Sequence, residues 1–178
     1  MANILNEEEF AKLVDTNGYS FACAITGDWD RLDGWDCCTL LRNYPYFADK
    51  CHWDKLDGWD WCKLLIDMPQ FADKCEWDKL SGDVWCKLLI SQPQFANKCY
   101  WNKLTSIDWG YLLVKQPQFT DKCNWDKFNN WDWCNLLCHQ PCFADKCDWN
   151  KLTDIDWDYL LEYQPQLAKY RTQESIDD

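Results

Sequence analysis

Four residues in one short stretch have the types that bind metal: Cys134, Cys138, His139 and Cys142. Zinc accepts three cysteines and one histidine in a tetrahedron. Cys134 and Cys138 lie one helical turn apart, and Cys142 follows just past Pro141. Two features oppose a metal. His139, next to Cys138, projects away from the Cys134–Cys138 face. Cys134 also belongs to a column with Cys38, Cys62 and Cys86, at multiples of 24 residues. The usual closed-site spacing is absent, so no metal and no cofactor is assigned.

Catalytic chemistry finds as little. The only histidines, His52 and His139, fall in different phases of the chain's repeat. The 6 glycines form no phosphate-binding loop, and no serine elbow is present. Carboxylate pairs are numerous but periodic, at positions that cap helices. The expectation is a protein that is not an enzyme.

The acidic triplets Asp30, Asp33, Asp36 and Asp54, Asp57, Asp60 suggest a different kind of chemistry. Carboxylates repeated along a stiff rod imitate the phosphates of a duplex. In size and charge the chain resembles small acidic inhibitors of nucleic-acid enzymes, such as anti-CRISPR and anti-restriction proteins. Such a DNA mimic would occupy its target's basic channel by charge complementarity. Two facts count against this reading. Asp33, Asp36, Asp57 and Asp60 have a sufficient role as caps. Lysines also recur in step, at 50, 74, 98, 122, 146 and at 55, 79, 103, 127, 151, and dilute the acidic field.

These residues are positioned by a tandem repeat. Prolines at 45, 69, 93, 117, 141 and 165 and tryptophans at 29, 53, 77, 101, 125 and 149 share an interval of 24. A unit reads Phe-Ala-Asp-Lys-Cys-x-Trp-Asp-Lys-Leu, a polar pair, then Trp/Ile-Asp-Trp-x-x-Leu-Leu-x-x-Gln-Pro-Gln. The second half predicts a helix. A cap precedes an acid by three residues in Asp57/Asp60, Thr105/Asp108, Asn129/Asp132 and Thr153/Asp156. Ser81 breaks the pattern, because Val84 holds the acid position. Trp61, Leu64 and Leu65 share one helical face, and Pro69 ends the helix. The first half predicts a shorter helix or a 3-10 turn, with Pro69 at its first position. Neither element can bury its apolar side alone, so neighbouring units must stack.

The fold expected is therefore all-α, a solenoid of about six two-helix repeats. Residues 1–22 form an N-terminal cap helix that starts near Asn6, with Asn17-Gly18 as a stop signal. The repeats run 23–46, 47–70, 71–94, 95–118, 119–142 and 143–166, and 167–178 is a C-terminal cap and polar tail. The 24-residue period and helix layout resemble the leucine-rich variant repeat, an α/3-10 solenoid. They also resemble Trp-rich tandem repeats of bacterial proteins. The iron–sulfur cysteines of one such family have no counterpart, and no site is carried over.

Composition fits this architecture. Hydrophobic residues make up 47% of 178, with 14 tryptophans, enough for a substantial core. The formal charge is −12, which disfavours direct nucleic-acid binding. It is spread as −5 over residues 1–46, −2 over 47–142 and −5 over 143–178. The first ten residues do not read as a signal peptide, and no stretch has the length to span a bilayer. The 13 cysteines are expected as reduced thiols in a cytoplasmic protein. Their recurrent column, at 51, 75, 99, 123 and 147, is expected to pack as small apolar residues.

With catalysis set aside, the chain reads as a protein-binding scaffold or adaptor. A tryptophan column present in every repeat is expected in the core. Trp35, Trp59 and Trp131 differ, because their position holds Asp83, Ile107 and Ile155 in other units. A position that accepts aspartate is exposed, which makes these three candidates for partner contact. Columns that vary between units add Tyr100, Tyr111, Tyr159 and Tyr163, and Asp30 and Asp54 serve the mimic reading. The expected partner is a protein, a nucleic-acid enzyme in the second reading. An exposed tryptophan row could also pair two copies of the chain.

Overall fold

A computed structural model describes residues 7–171, and among them there are α- and 3-10 helices and no strand. The N-terminal helices are α1 (Glu7–Asn17) and α2 (Tyr19–Thr26). The repeat helices are α3 (Gly34–Asn43), α4 (Gly58–Asp67), α5 (Gly82–Ser91), α6 (Ser106–Lys115), α7 (Asn130–His139) and α8 (Asp154–Tyr163). The fold is an all-α repeat. Two compact units divide between Cys99 and Tyr100. In the first, α1 packs on α2, and α2 to α5 pack each on the next. In the second, α6 packs on α7 and α7 on α8.

Each repeat helix begins where the sequence places it. Asp33/Asp36, Asp57/Asp60, Thr105/Asp108, Asn129/Asp132 and Thr153/Asp156 all form reciprocal capping boxes. Two orphan amides are thereby satisfied at each helix start. Ser81 makes no such bond, and its hydroxyl donates to the Asp83 carboxylate instead. Each repeat helix is capped by the residue before proline, where the backbone leaves helical geometry, as at Gln116 (φ −136°, ψ 67°).

From the second repeat on, the first half is not a second α-helix but a pair of 3-10 segments, such as Pro69–Lys74 and Trp77–Lys79. Repeat 23–46 holds there the end of α2 and the single segment Trp29–Arg31. Proline presets the first φ of each longer segment. An extended residue such as Cys75 (φ −68°, ψ 129°) then separates the two. At the N-terminus, Gly18 (φ 87°) ends the first helix as its sequence announces. The helix α2 that follows is not announced by periodicity. Asn6, the expected cap, and the tail from Thr172 lie outside the described residues.

The core is built from tryptophan stacks inside single repeats. Trp53 stacks on Trp61, with ring centres 5.4 Å apart and planes within 12°. The pairs Trp77/Trp85, Trp101/Trp109, Trp125/Trp133 and Trp149/Trp157 repeat that geometry. A phenylalanine closes the other side, as Phe71 does on Trp53 and Phe119 on Trp101. The two tryptophan columns are unequal. Trp61, Trp85, Trp109 and Trp133 are fully buried, whereas Trp53, Trp77, Trp101 and Trp125 are half-buried at the edge of the stack. The column expected wholly in the core is thus its outer leaf. In the first repeat Cys37 replaces the inner tryptophan, and the Trp29 ring packs on Phe47.

Candidate functional site

Two periodic polar columns bind one repeat to the next. The Lys55 ammonium donates to the carbonyls of Asp30 (2.8 Å) and Leu32 (2.9 Å) in the preceding repeat. Lys79 does the same to Asp54 (2.8 Å) and Leu56 (3.0 Å). In the second unit, Lys127 reaches Asn102 and Leu104, and Lys151 reaches Phe128. The other column is glutamine. Gln92 donates to Ile66 O (2.7 Å), Gln140 to Val114 O (3.1 Å) and Gln164 to Cys138 O (2.6 Å). A helix leaves its last carbonyls unpaired, and these amides satisfy one from the neighbouring repeat. Sequence reasoning took the lysines as diluting charge and passed over the glutamines. One polar residue type held at a strict 24-residue step was the available signal.

With these columns turned inward, the outer face of the repeat helices remains. Trp35, Trp59 and Trp131 are exposed, as are Asp83, Ile107 and Ile155 at the same position. The Lys63 ammonium lies 4.1 Å over the Trp35 ring, a cation–π contact. In the second unit the aromatics converge. Trp131 on α7 lies 6.0 Å from Tyr159 on α8, and Tyr159 lies 5.0 Å from Tyr163 one helical turn on. Trp131 and Tyr163 are 60% and 57% exposed, so the three rings form an open patch. Partial burial and the neighbouring Cys138 and Tyr163 raise the Tyr159 phenol above its ordinary value. Its hydroxyl is therefore neutral near pH 7, both donor and acceptor.

The remaining candidates stand apart from that patch. Tyr100 is exposed beside the Lys103 ammonium, 5.3 Å from its ring centre. Tyr111 is exposed on α6. Asp30 has a side chain 94% exposed, 3.9 Å from His52 Nδ1. Asp54 is exposed as well.

The cysteine–histidine cluster does not converge. The Cys134 thiol donates to Asp156 O, the His139 ring meets Asn135 O at 2.8 Å, and the Cys142 thiol donates to the Gln140 amide oxygen. Among the described residues no three histidine, cysteine or carboxylate groups are placed to hold a metal ion. All 13 cysteines are free. Burial pushes Cys75, Cys99, Cys123 and Cys147 up to about 12, so they stay protonated near neutrality. That column is half-buried apart from Cys51, which is buried.

The fold and its outer face define a helical repeat protein. No family model matches the chain, and neither the curated proteins nor the solved structures give a match. Among the described residues no helix is long and apolar enough to cross a membrane.

Proposed function

We propose that this protein is a non-enzymatic, protein-binding repeat that acts as a scaffold or adaptor in the cytoplasm. The observation that carries the reading is the open train of rings Trp131, Tyr159 and Tyr163. Tyrosine and tryptophan dominate binding hot spots because a large rigid ring buries area at little entropic cost. Here the rings have no core to fill, because the inner face of the same helices already buries Trp133, Trp157, Leu136 and Leu160. The alternation of an α-helix with 3-10 segments supports a likeness to the leucine-rich variant type of repeat. The 13 unpaired thiols support a reducing setting.

Changing Trp131 and Tyr163 together to alanine tests this proposal. Binding to the captured partner should fall by more than about tenfold, with circular dichroism unchanged. Unchanged affinity with intact helicity would remove this face from consideration.

One observation favours a second reading, the DNA-mimicking inhibitor of a nucleic-acid enzyme. Lys55, Lys79 and Lys151 are half-buried on backbone carbonyls, while Asp30 and Asp54 stand in solvent. The acidic field is therefore more open than the sequence alone implies. In this reading DNA displaces the chain from its target, and raised salt weakens the complex.

A further inference from the structure

We infer that the exposed side of the last repeat, around Asn150 and Leu152, is a binding site for a lysine side chain supplied by another polypeptide. The chain itself shows how such a site is filled. Lys55, Lys79 and Lys127 donate to carbonyls 23 and 25 residues before them, as Lys55 does to Leu32 and Asp30, and Lys151 donates to the carbonyl 23 before it, that of Phe128. The next carbonyls in that series are those of Asn150 and Leu152. The position of the lysine column that would reach them, 175, is a serine.

The structure has an opening at this place. A cavity of about 790 Å³ is lined by Trp149, Asn150, Leu152, Asp154, Trp157 and Arg171, among others. Its walls are the positions that the following repeat covers elsewhere in the chain. Leu152 is half-buried, whereas Leu32, Leu56, Leu80, Leu104 and Phe128 in the same column are at most 1% exposed. Among the described residues no side chain donates to the carbonyls of Asn150 and Leu152. Arg171, the cation that lines the cavity, is engaged otherwise. Its guanidinium pairs with Asp154 (2.8 Å) and Asp158 (3.5 Å) and lies over Trp157, where it forms one wall.

The chemistry selects the ligand. Two backbone carbonyls without donors suit an ammonium, which carries three donors and no acceptor. Leu152 and the edge of Trp149, whose faces are stacked on Trp157 and Tyr170, offer apolar surface for the methylene stem, and Asp148 in the lining adds negative potential. A second copy of this chain does not carry the matching group at its first repeat. There the lysine column holds Arg31, whose guanidinium packs on the Phe10 and Tyr19 rings. The site is separate from the aromatic face of α7 and α8, so either can fail without the other.

The test uses the full chain, labelled with nitrogen-15, and the probe acetyl-Glu-Trp-Asp-Lys-Leu-Ser-amide, which copies residues 76–81. Saturable amide shifts at Asn150, Leu152 and the Trp149 indole are expected, with a dissociation constant below about 5 mM. The same probe with norleucine or Nε-acetyl-lysine in place of lysine should bind at least about tenfold more weakly, since it cannot supply the charged donor. Three outcomes overturn the proposal. These are no saturable shift, equal binding of the norleucine probe, or shifts spread over the exposed carboxylates such as Asp30 and Asp54. A rise in molecular mass at working concentration, with the cavity residues protected, would name a second copy as occupant and overturn it as well.

Discussion

Replacing Lys55 with methionine keeps most of the side-chain stem and removes only the ammonium. Three carbonyls then lose a donor, those of Asp30 and Leu32 at 2.8 and 2.9 Å and, more weakly, that of Trp29 at 3.4 Å. A hydrogen bond to a charged group contributes about 1.5–3 kcal/mol, and an orphaned buried acceptor costs about 1–3 kcal/mol. Lys55 is half-buried, so water replaces part of what is lost, and the freed side chain regains rotamer entropy. The net expectation is a loss of about 2 kcal/mol, or about 4–8 °C in melting temperature for a chain of this size. Guanidinium and thermal unfolding followed by circular dichroism read both quantities. Lys50→Met is the comparator, since it removes the same charge from an exposed position. That change should stay within about 0.5 kcal/mol. Equal losses for the two variants would refute the clasp, because only bulk charge would then be at work.

Three further expectations follow from the same geometry. Trp109→Ala should cost about 3–5 kcal/mol, and Trp101→Ala about 2 kcal/mol, because Trp109 is fully buried and its stacking partner lies at the edge. Equal costs in denaturant unfolding would contradict the unequal leaves of the stack. Met68→Gln should stabilise the first unit by about 0.5–1 kcal/mol, by supplying the amide that Gln92 gives to Ile66 O one repeat later. A lower denaturation midpoint would show that the glutamine column is not transferable. The pH profiles of two capping acids should differ in sign. Burial opposes ionisation of Asp156, but hydrogen bonds from Thr153 and Asn130 outweigh it and hold its folded value below the ordinary one. Its contribution is present above the unfolded value and is lost as pH falls through the folded one. Burial raises Asp60 and outweighs the hydrogen bond from the Asp57 amide, with the Asp57 and Asp33 charges adding to the rise, so the folded state binds the proton more tightly and stability falls as pH rises through that window. Asp156→Asn should therefore lower stability at pH 7, and Asp60→Asn should not, as measured by denaturation midpoints.

The sequence carried most of this fold in a readable form. Prolines and tryptophans at a 24-residue step announced the repeat, and caps such as Asp57/Asp60 sit where the three-residue spacing put them. The exposure of Trp131 followed from aspartate at the equivalent position 83. Other features were hidden for physical reasons. A half-repeat of ten residues has too little periodicity to separate two short 3-10 segments from one short helix, and the extended residue at Cys75 decides it. The roles of Lys55 and Gln164 depend on carbonyls of another repeat, which no local pattern encodes. The convergence of Trp131, Tyr159 and Tyr163 likewise depends on how α7 and α8 pack, since Trp131 and Tyr159 are 28 residues apart.

The central claim is that the outer aromatic face binds a protein. Its most direct test is affinity capture from a bacterial lysate, with the full chain and its Trp131→Ala/Tyr163→Ala variant side by side, at low salt and at roughly 0.5 M, where screening is severe. Mass spectrometry identifies what each retains. The account predicts a discrete protein partner that survives high salt with the native chain and is lost with the variant. A partner held equally by both, released by salt and displaced by DNA would contradict it and give the chain to the acidic-mimic reading instead.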